Sequence, residues 1–398
     1  MKNSMRSISR RRAATVFLTA AATLGGGLGW LIAPAGTLAD DAGKPILIGH
    51  YGSLTGAEAT FGKSTSNGIK LALKEFNAAG GLNGRPIELR EYDTKGDPKE
   101  AGTVVTRLVA SDKVTAVLGE VASSLSLAGA PICQEHGVPM ITPSSTNPRV
   151  TKVGDMIFRV CFIDAFQGFA CARFAVDRNA KRVATLYDQS SAYSEGLARD
   201  FKRAITKLGG EVPSEQRYKA GDNDFTAQLV AIRGTNPDMI FIPGYYTDVG
   251  NIAIQARRLG ISCPLLGGDG WDSDQLAKIG GEAIEGAFYS NHYAAQDETP
   301  KVQDFIRKYK AEFGDIPDGL AALGYDAAKL LFDAMKRAKS LEGKDLAAAI
   351  AATRDFDAVT GNVTIGPDRN AVKSAVIVQM KNGERTMVAR VEPDQAKE

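Results

Sequence analysis

Apolar residues along the chain recur in two rhythms. Short continuous runs at 46–51, 87–92, 114–118, 139–142 and 157–161 have the length and composition of buried strands. Between them, stretches at 62–79, 98–110 and 124–136 return an apolar residue every three or four positions, the period of an amphipathic helix. In the first of these, Ile69, Leu71, Ala72, Leu73 and Phe76 make the stripe, and Gly80-Gly81 ends it as a helix terminus should. The alternation then restarts: strands are predicted at 183–187, 238–242 and 264–267, with helices at 194–208, 225–234 and 249–259. Helices at 300–313, 320–337 and 344–353 follow. Strands are predicted at 359–365, 374–380 and 386–391, the last two joined through Lys381-Asn382-Gly383-Glu384. Strand–helix alternation implies an α/β protein whose parallel sheets are covered on both faces. The series 44–161 and 162–290 are each of domain size, and no Pro/Ser-rich tether separates them, which suits two lobes on a hinge.

Two hydroxyl-rich clusters stand at predicted strand ends. The first is Val117-Leu118-Gly119-Glu120-Val121-Ala122-Ser123-Ser124-Leu125-Ser126; the second is Ile141-Thr142-Pro143-Ser144-Ser145-Thr146-Asn147-Pro148. Ser123 and Ser124 fall where a helix starts, so they either cap backbone N–H groups or stand beside them. Free N–H groups and the helix dipole there favour an anion such as a small carboxylate. One such cluster is most often only a cap and a turn. Two at successive strand ends of an α/β pattern point to a ligand crevice.

Composition narrows the class further. At 398 residues, 44% apolar and 24% charged, the chain is a globular protein too long for one ordinary core. Its charge is uneven: residues 1–39 hold Lys2, Arg6, Arg10, Arg11 and Arg12 and no acid, so without them the formal net charge goes from +2 to −3. The basic character belongs to this leader, and no basic surface for nucleic acid is expected. A basic start, an apolar run over 13–35 and a small-residue exit at Thr37-Leu38-Ala39 have the layout of an export signal cleaved after Ala39. Ser9-Arg10-Arg11-Arg12 is similar to a twin-arginine signal, but Ala13 and Ala14 replace the usual Phe and Leu, leaving the general secretory route equally open. Cys133, Cys161, Cys171 and Cys263 have no metal spacing, and their pairing is not readable; buried free thiols are the simpler expectation. His50, His136 and His292 are scattered, and no metal or cofactor is expected.

A family resemblance rests on several motifs in order: residues 49–56, then Phe61-Gly62 and Asn67-Gly68; Phe76-Asn77-Ala78-Ala79-Gly80-Gly81-Leu82-Asn83-Gly84; Tyr92-Asp93; the two hydroxyl clusters; Tyr193-Ser194-Glu195-Gly196; and Gly244-Tyr245-Tyr246. With them the chain resembles the leucine/isoleucine/valine-binding proteins of bacterial ABC importers, type I periplasmic binding proteins, over about residues 44–392. The resemblance implies two Rossmann-like lobes joined by a three-stranded hinge, 44–161 plus 291–372 and 162–290 plus 373–398. It implies a monomer that closes on one amino acid and delivers it to permease and ATPase subunits on separate chains. The carboxylate would be held by Ser123 and Thr146, and the ammonium by the carbonyl of Ser144 and an acid at Asp269. Asp269 is one methylene shorter than the family's Glu, so the lobes close further or a water intervenes. Asp164 is used in related members, and Phe61, Tyr193, Tyr245 and Tyr325 match the aromatic walls. The family's first-lobe disulfide matches Gly96 and Ala122 here, so the bridge is absent and Ala122 leaves more room beside the ligand.

Enzyme motifs do not compete with this reading. There is no dinucleotide fingerprint, P-loop, GxSxG or HExxH. A binding role is expected, with an amide or a simple or aromatic carboxylate as the alternative ligand.

Overall fold

The computed structural model describes residues 43–397, so the expected export signal at 1–39 lies outside the described residues. Five strands, β1 (Ile46–Gly52), β2 (Ile87–Asp93), β3 (Val117–Leu118), β4 (Met140–Thr142) and β5 (Ile157–Arg159), form one all-parallel sheet in the order β2-β1-β3-β4-β5. A second sheet takes β6 (Val183–Asp188), β7 (Glu215–Tyr218), β8 (Met239–Ile242), β9 (Leu265–Gly267) and β10 (Phe288–Asn291). After a two-stranded ribbon, β11 (Thr364–Ile365) and β12 (Ala371–Val372), the chain returns to it as β13 (Ala375–Lys381) and β14 (Glu384–Val391). The order is β14-β13-β10-β9-β8-β6-β7, parallel except that β13 and β14 run antiparallel to their neighbours.

The helices are α1 (Ala59–Ala78), α2 (Pro98–Thr106), α3 (Ser123–Glu135), α4 (Asp164–Asp177), α5 (Ala192–Lys207), α6 (Thr226–Gly234), α7 (Tyr246–Arg258), α8 (Asp274–Gly280), α9 (Pro300–Phe313), α10 (Gly319–Arg337) and α11 (Gly343–Ala351). The second sheet shows why its strands read as unbroken apolar runs. In β8, Met239 and Phe241 join one core with Phe201 and Leu266, while Ile240 and Ile242 join another with Leu186 and Val249. Alternate side chains point to opposite faces, and both faces are covered, so no polar alternation survives.

The chain passes between the sheets at three places, beginning just after β5, just after β10 and just after β12. A small core of Phe162, Ala170, Ala375 and Val391 joins the first and third crossings. Several expected elements differ. The helix expected over 98–110 is α-helical only to Thr106 and continues as a π-helical turn, Arg107–Ser111. The strand expected over 359–365 shrinks to Thr364–Ile365, because the backbone N–H groups of Val359 and Thr360 are spent on the Asp326 carboxylate at 2.8 and 2.9 Å. Helix α4 and strands β7 and β10 were not anticipated. In α4 the apolar spacing is blurred by buried Asp164, Gln167 and Gly168, and in β7 the residues Glu-Gln-Arg-Tyr carry no apolar run.

Candidate functional site

In each sheet the strand order reverses, between β1 and β3 in the first and between β6 and β8 in the second. Loops leaving the carboxyl ends of strands diverge there, and crevices open at such points. Most residues lining one small cavity come from these loops or the helices that follow: Phe61 after β1, Val121 after β3, Ser144 after β4, Tyr193 after β6, Tyr245 after β8, and Asp269 and Gly270 after β9; Leu320 joins them from α10. Both sheets therefore contribute.

The walls are aromatic. Tyr193 and Tyr245 stack with centroids 5.4 Å apart and planes at 5°, and Phe61 meets Tyr245 edge-on at 5.4 Å. Phe61 belongs to α1, which packs on the first sheet, yet its ring sits among the apolar residues of the second. Other contacts cross the same gap: the Tyr246 hydroxyl donates to the Ala57 carbonyl at 2.7 Å, and Asn147 Nδ2 donates to the Ala192 carbonyl at 2.6 Å.

Asp269 is the acid of this cavity. It begins a tight turn after β9 and is 6% exposed. Its Oδ1 accepts from Gln167 Nε2 at 2.7 Å, and its Oδ2 is 3.0 Å from His292 Nε2. Gly268 explains why the turn is glycine-bound: a Cβ there would lie 2.3 Å from the Tyr193 hydroxyl. That hydroxyl instead accepts the Gly270 N–H at 3.1 Å. Burial, with Asp269 nearby, raises the Tyr193 pKa well above its ordinary value, so the phenol keeps its proton.

The two hydroxyl clusters are laced together on the first-sheet side. Ser126 Oγ and Ser145 Oγ are 2.7 Å apart, and the Thr142 and Ser145 hydroxyls donate to the Glu120 carbonyl at 2.6 and 2.9 Å. Below the second cluster lies Arg159, fully buried at the end of β5, donating to the carbonyls of Ser145 and Asn147. Sequence reading missed Arg159; the only sign of it is a lone cation at the end of an apolar run. Glu120 is likewise buried, accepting the N–H groups of Ser53 at 2.8 Å and Ala122 at 2.6 Å. Burial outweighs these donors and pushes Glu120 up to about 7.

The expected site residues separate into those the cavity gathers and those it does not. Phe61, Ser144, Tyr193, Tyr245 and Asp269 line it. Ser144 Oγ is buried without a protein hydrogen-bond partner, so its hydroxyl remains available, whereas the buried Thr146 hydroxyl acts on the Asp164 carboxyl. Ser123 opens α3, but its Oγ accepts the Asn147 N–H at 3.3 Å, linking the two clusters. Ala122 is the residue before α3, beside the lining Val121. Asp164 starts α4 at the first crossing, fully buried, with its carboxyl near the Thr146 hydroxyl; Gly196 of α5 leaves it room, since a Cβ there would come within 2.9 Å of Oδ2. Tyr325 is not brought to the cavity. Its hydroxyl donates to Glu75 at 2.7 Å and its ring packs on Phe305, because α10 turns that face onto α1 and α9. Leu320, in the first turn of the same helix, occupies the wall instead. The four cysteines are unpaired, with Cys133, Cys161 and Cys171 buried.

Residues 45–385 match the family model described as periplasmic binding protein. A leucine-, isoleucine-, valine-, threonine- and alanine-binding protein of Pseudomonas aeruginosa is 31% identical over 325 residues, 81% of this chain and 86% of the relative. Among solved structures, a leucine-binding protein of Thermotoga maritima superposes with a TM-score of 0.85 at 40% identity, covering 88% of this chain and 99% of its own. A branched-chain amino-acid transporter substrate-binding protein of Streptococcus pneumoniae, in complex with isoleucine, gives 0.82 at 34% identity, covering 88% and 100%.

Asp164 makes a pH prediction. Burial raises its pKa from 3.8 to about 8, against the lowering effect of Thr146 and with a further raising contribution from Asp269. Between those values the folded chain holds a proton that the unfolded chain has released, so stability falls as pH rises from about 4 to about 8. Asp164→Asn removes this titration. The difference in Tm between variant and wild type, measured by calorimetry on ligand-free protein, should move in the variant's favour from pH 5 to pH 8.5. A difference constant across that range would contradict a raised Asp164.

Proposed function

The chain belongs to the periplasmic binding protein family, in its leucine/isoleucine/valine-binding branch, and on that premise we propose that it traps one apolar α-amino acid between two lobes. The single observation that carries this reading is the pairing within one aromatic-walled cavity: a buried acid, Asp269, with the unpartnered hydroxyl of Ser144 on a loop of the other sheet. A zwitterion needs an acceptor at one end and donors at the other. Asp269 receives the ammonium, assisted by the Ser144 carbonyl and by Asp164. Thr146, Ser144 and the N-terminus of α3 around Ser123 receive the carboxylate, where the helix dipole favours negative charge. Phe61, Val121, Tyr193, Tyr245 and Leu320 surround the side chain and exclude water. The similarity to amino-acid-binding relatives supports the same ligand class.

The lobes are 44–161 plus 291–372 and 162–290 plus 373–398, an assignment supported by the strands each sheet collects. Closure turns on the three crossings between them and presents the loaded face to permease and ATPase subunits on separate chains. The protein acts as a monomer and as a binder without catalytic turnover. The leader 1–39 directs export through the general secretory or twin-arginine route and is removed after Ala39. N-terminal sequencing of the exported protein should therefore begin at Asp40; a chain retaining Met1 would contradict export with cleavage.

Adding leucine should shrink the radius of gyration measured by solution scattering as the lobes close. Asp269→Asn keeps the size of the side chain and removes its charge. A buried ammonium left without its counter-charge costs on the order of 2–5 kcal/mol, so the Kd for leucine should rise about a hundredfold or more. Calorimetry giving the wild-type Kd for a folded Asp269→Asn variant would refute the ammonium site.

A further inference from the structure

The Asp269 carboxylate is oriented by two side chains that approach it from different crossings. Gln167, on α4 just past the first crossing, donates through Nε2 to Oδ1 at 2.7 Å and to Ser290 Oγ at 2.9 Å. His292, which follows β10 and begins the second crossing, reaches Oδ2 at 3.0 Å. The imidazole is 3% exposed as a residue and lies flat against Phe162 of the first crossing, centroids 3.7 Å apart and planes at 22°. Its other nitrogen, Nδ1, meets no protein partner.

These facts determine the state of the ring. A buried N–H without an acceptor is costly, whereas a carboxylate beside Nε2 rewards a proton there. The neutral tautomer protonated at Nε2 satisfies both, and burial, acting against the Asp269 bond, lowers the pKa and keeps the ring neutral. A neutral donor orients Asp269 without cancelling its charge, leaving that charge for a ligand cation.

We propose that His292 is the positioning residue for the ligand-binding acid: its Nε2–H fixes the Asp269 carboxylate, and its stack on Phe162 anchors that hold to the crossings between the sheets. The proposal rests on the amino-acid reading above and adds to it the group that aims the acid. Phe162 and His292 lie on the first and second crossings, so a twist of the hinge that shifts the stack also moves the donor on Asp269.

Two variants separate the donor from the ring. His292→Phe keeps a flat ring for Phe162 and removes the N–H; His292→Gln keeps an amide N–H and removes the ring. Calorimetry with leucine and with its des-amino analogue, 4-methylpentanoate, reads the effect at each end of the ligand. In His292→Phe the preference for leucine over the analogue should fall about tenfold or more, and His292→Gln should restore most of it. Equal weakening of both ligands in both variants, or an unchanged preference in His292→Phe, overturns the positioning role while the amino-acid reading stands. A wild type that binds no amino acid overturns both. Nitrogen NMR of leucine-loaded wild type gives a check independent of any variant: the His292 ring should be neutral with its proton on Nε2, and a proton on Nδ1 overturns the assignment.

Discussion

A carboxylate in a closed, water-poor cleft is tolerable only when donors and a counter-charge replace its hydration. Asp269 meets the first condition through Gln167 and His292, and on the proposed function an entering ammonium meets the second. Much of the nearby architecture follows from that requirement. The glycine before Asp269 lets the turn lie against the Tyr193 hydroxyl, the stacked tyrosines keep water out, and α4 starts where Gln167 can reach the acid.

The opposite side meets a different requirement. There the loops after β3 and β4 are fixed by a network of buried polar groups. Glu120 gathers the N–H groups of Ser53 and Ala122, Arg159 gathers the carbonyls of Ser145 and Asn147, and Ser126 bridges to Ser145. Between the two sides, further hydrogen bonds away from Asp269 join α1 and α10 to the segment after β9: Thr60 with Ser273 at 3.0 Å, and the Gly319 N–H on Asp272 at 2.6 Å.

The α/β class was legible because apolar runs of strand length alternate with helical periods, and most boundaries fell within a few residues of those observed. Element detection failed where tertiary contacts override the local pattern. Helix α4 buries Asp164 and Gln167 on the face that should have been apolar, and β7 is an edge strand whose first three residues are polar, with Tyr218 alone entering the core. At the site, Phe61, Tyr193, Tyr245, Ser144 and Asp269 were named through the family resemblance, and the structure gathers all five on one cavity. Tyr325 was misplaced because sequence spacing does not say which face of α10 meets α1. His292, Gln167 and Arg159 were invisible for a related reason. Each acts on a residue that is distant in sequence, and a lone polar residue near an apolar run gives no sign of its partner.

The most direct measurement is calorimetric titration of the wild-type protein with leucine and with 4-methylpentanoate under the same conditions. The two share side chain and carboxylate and differ in the ammonium alone. A cavity organised around Asp269 should bind leucine about a hundredfold or more tightly than the analogue. Equal affinities, or a preference for the analogue, would contradict a zwitterion site and mark the cavity as a pocket for simple carboxylates.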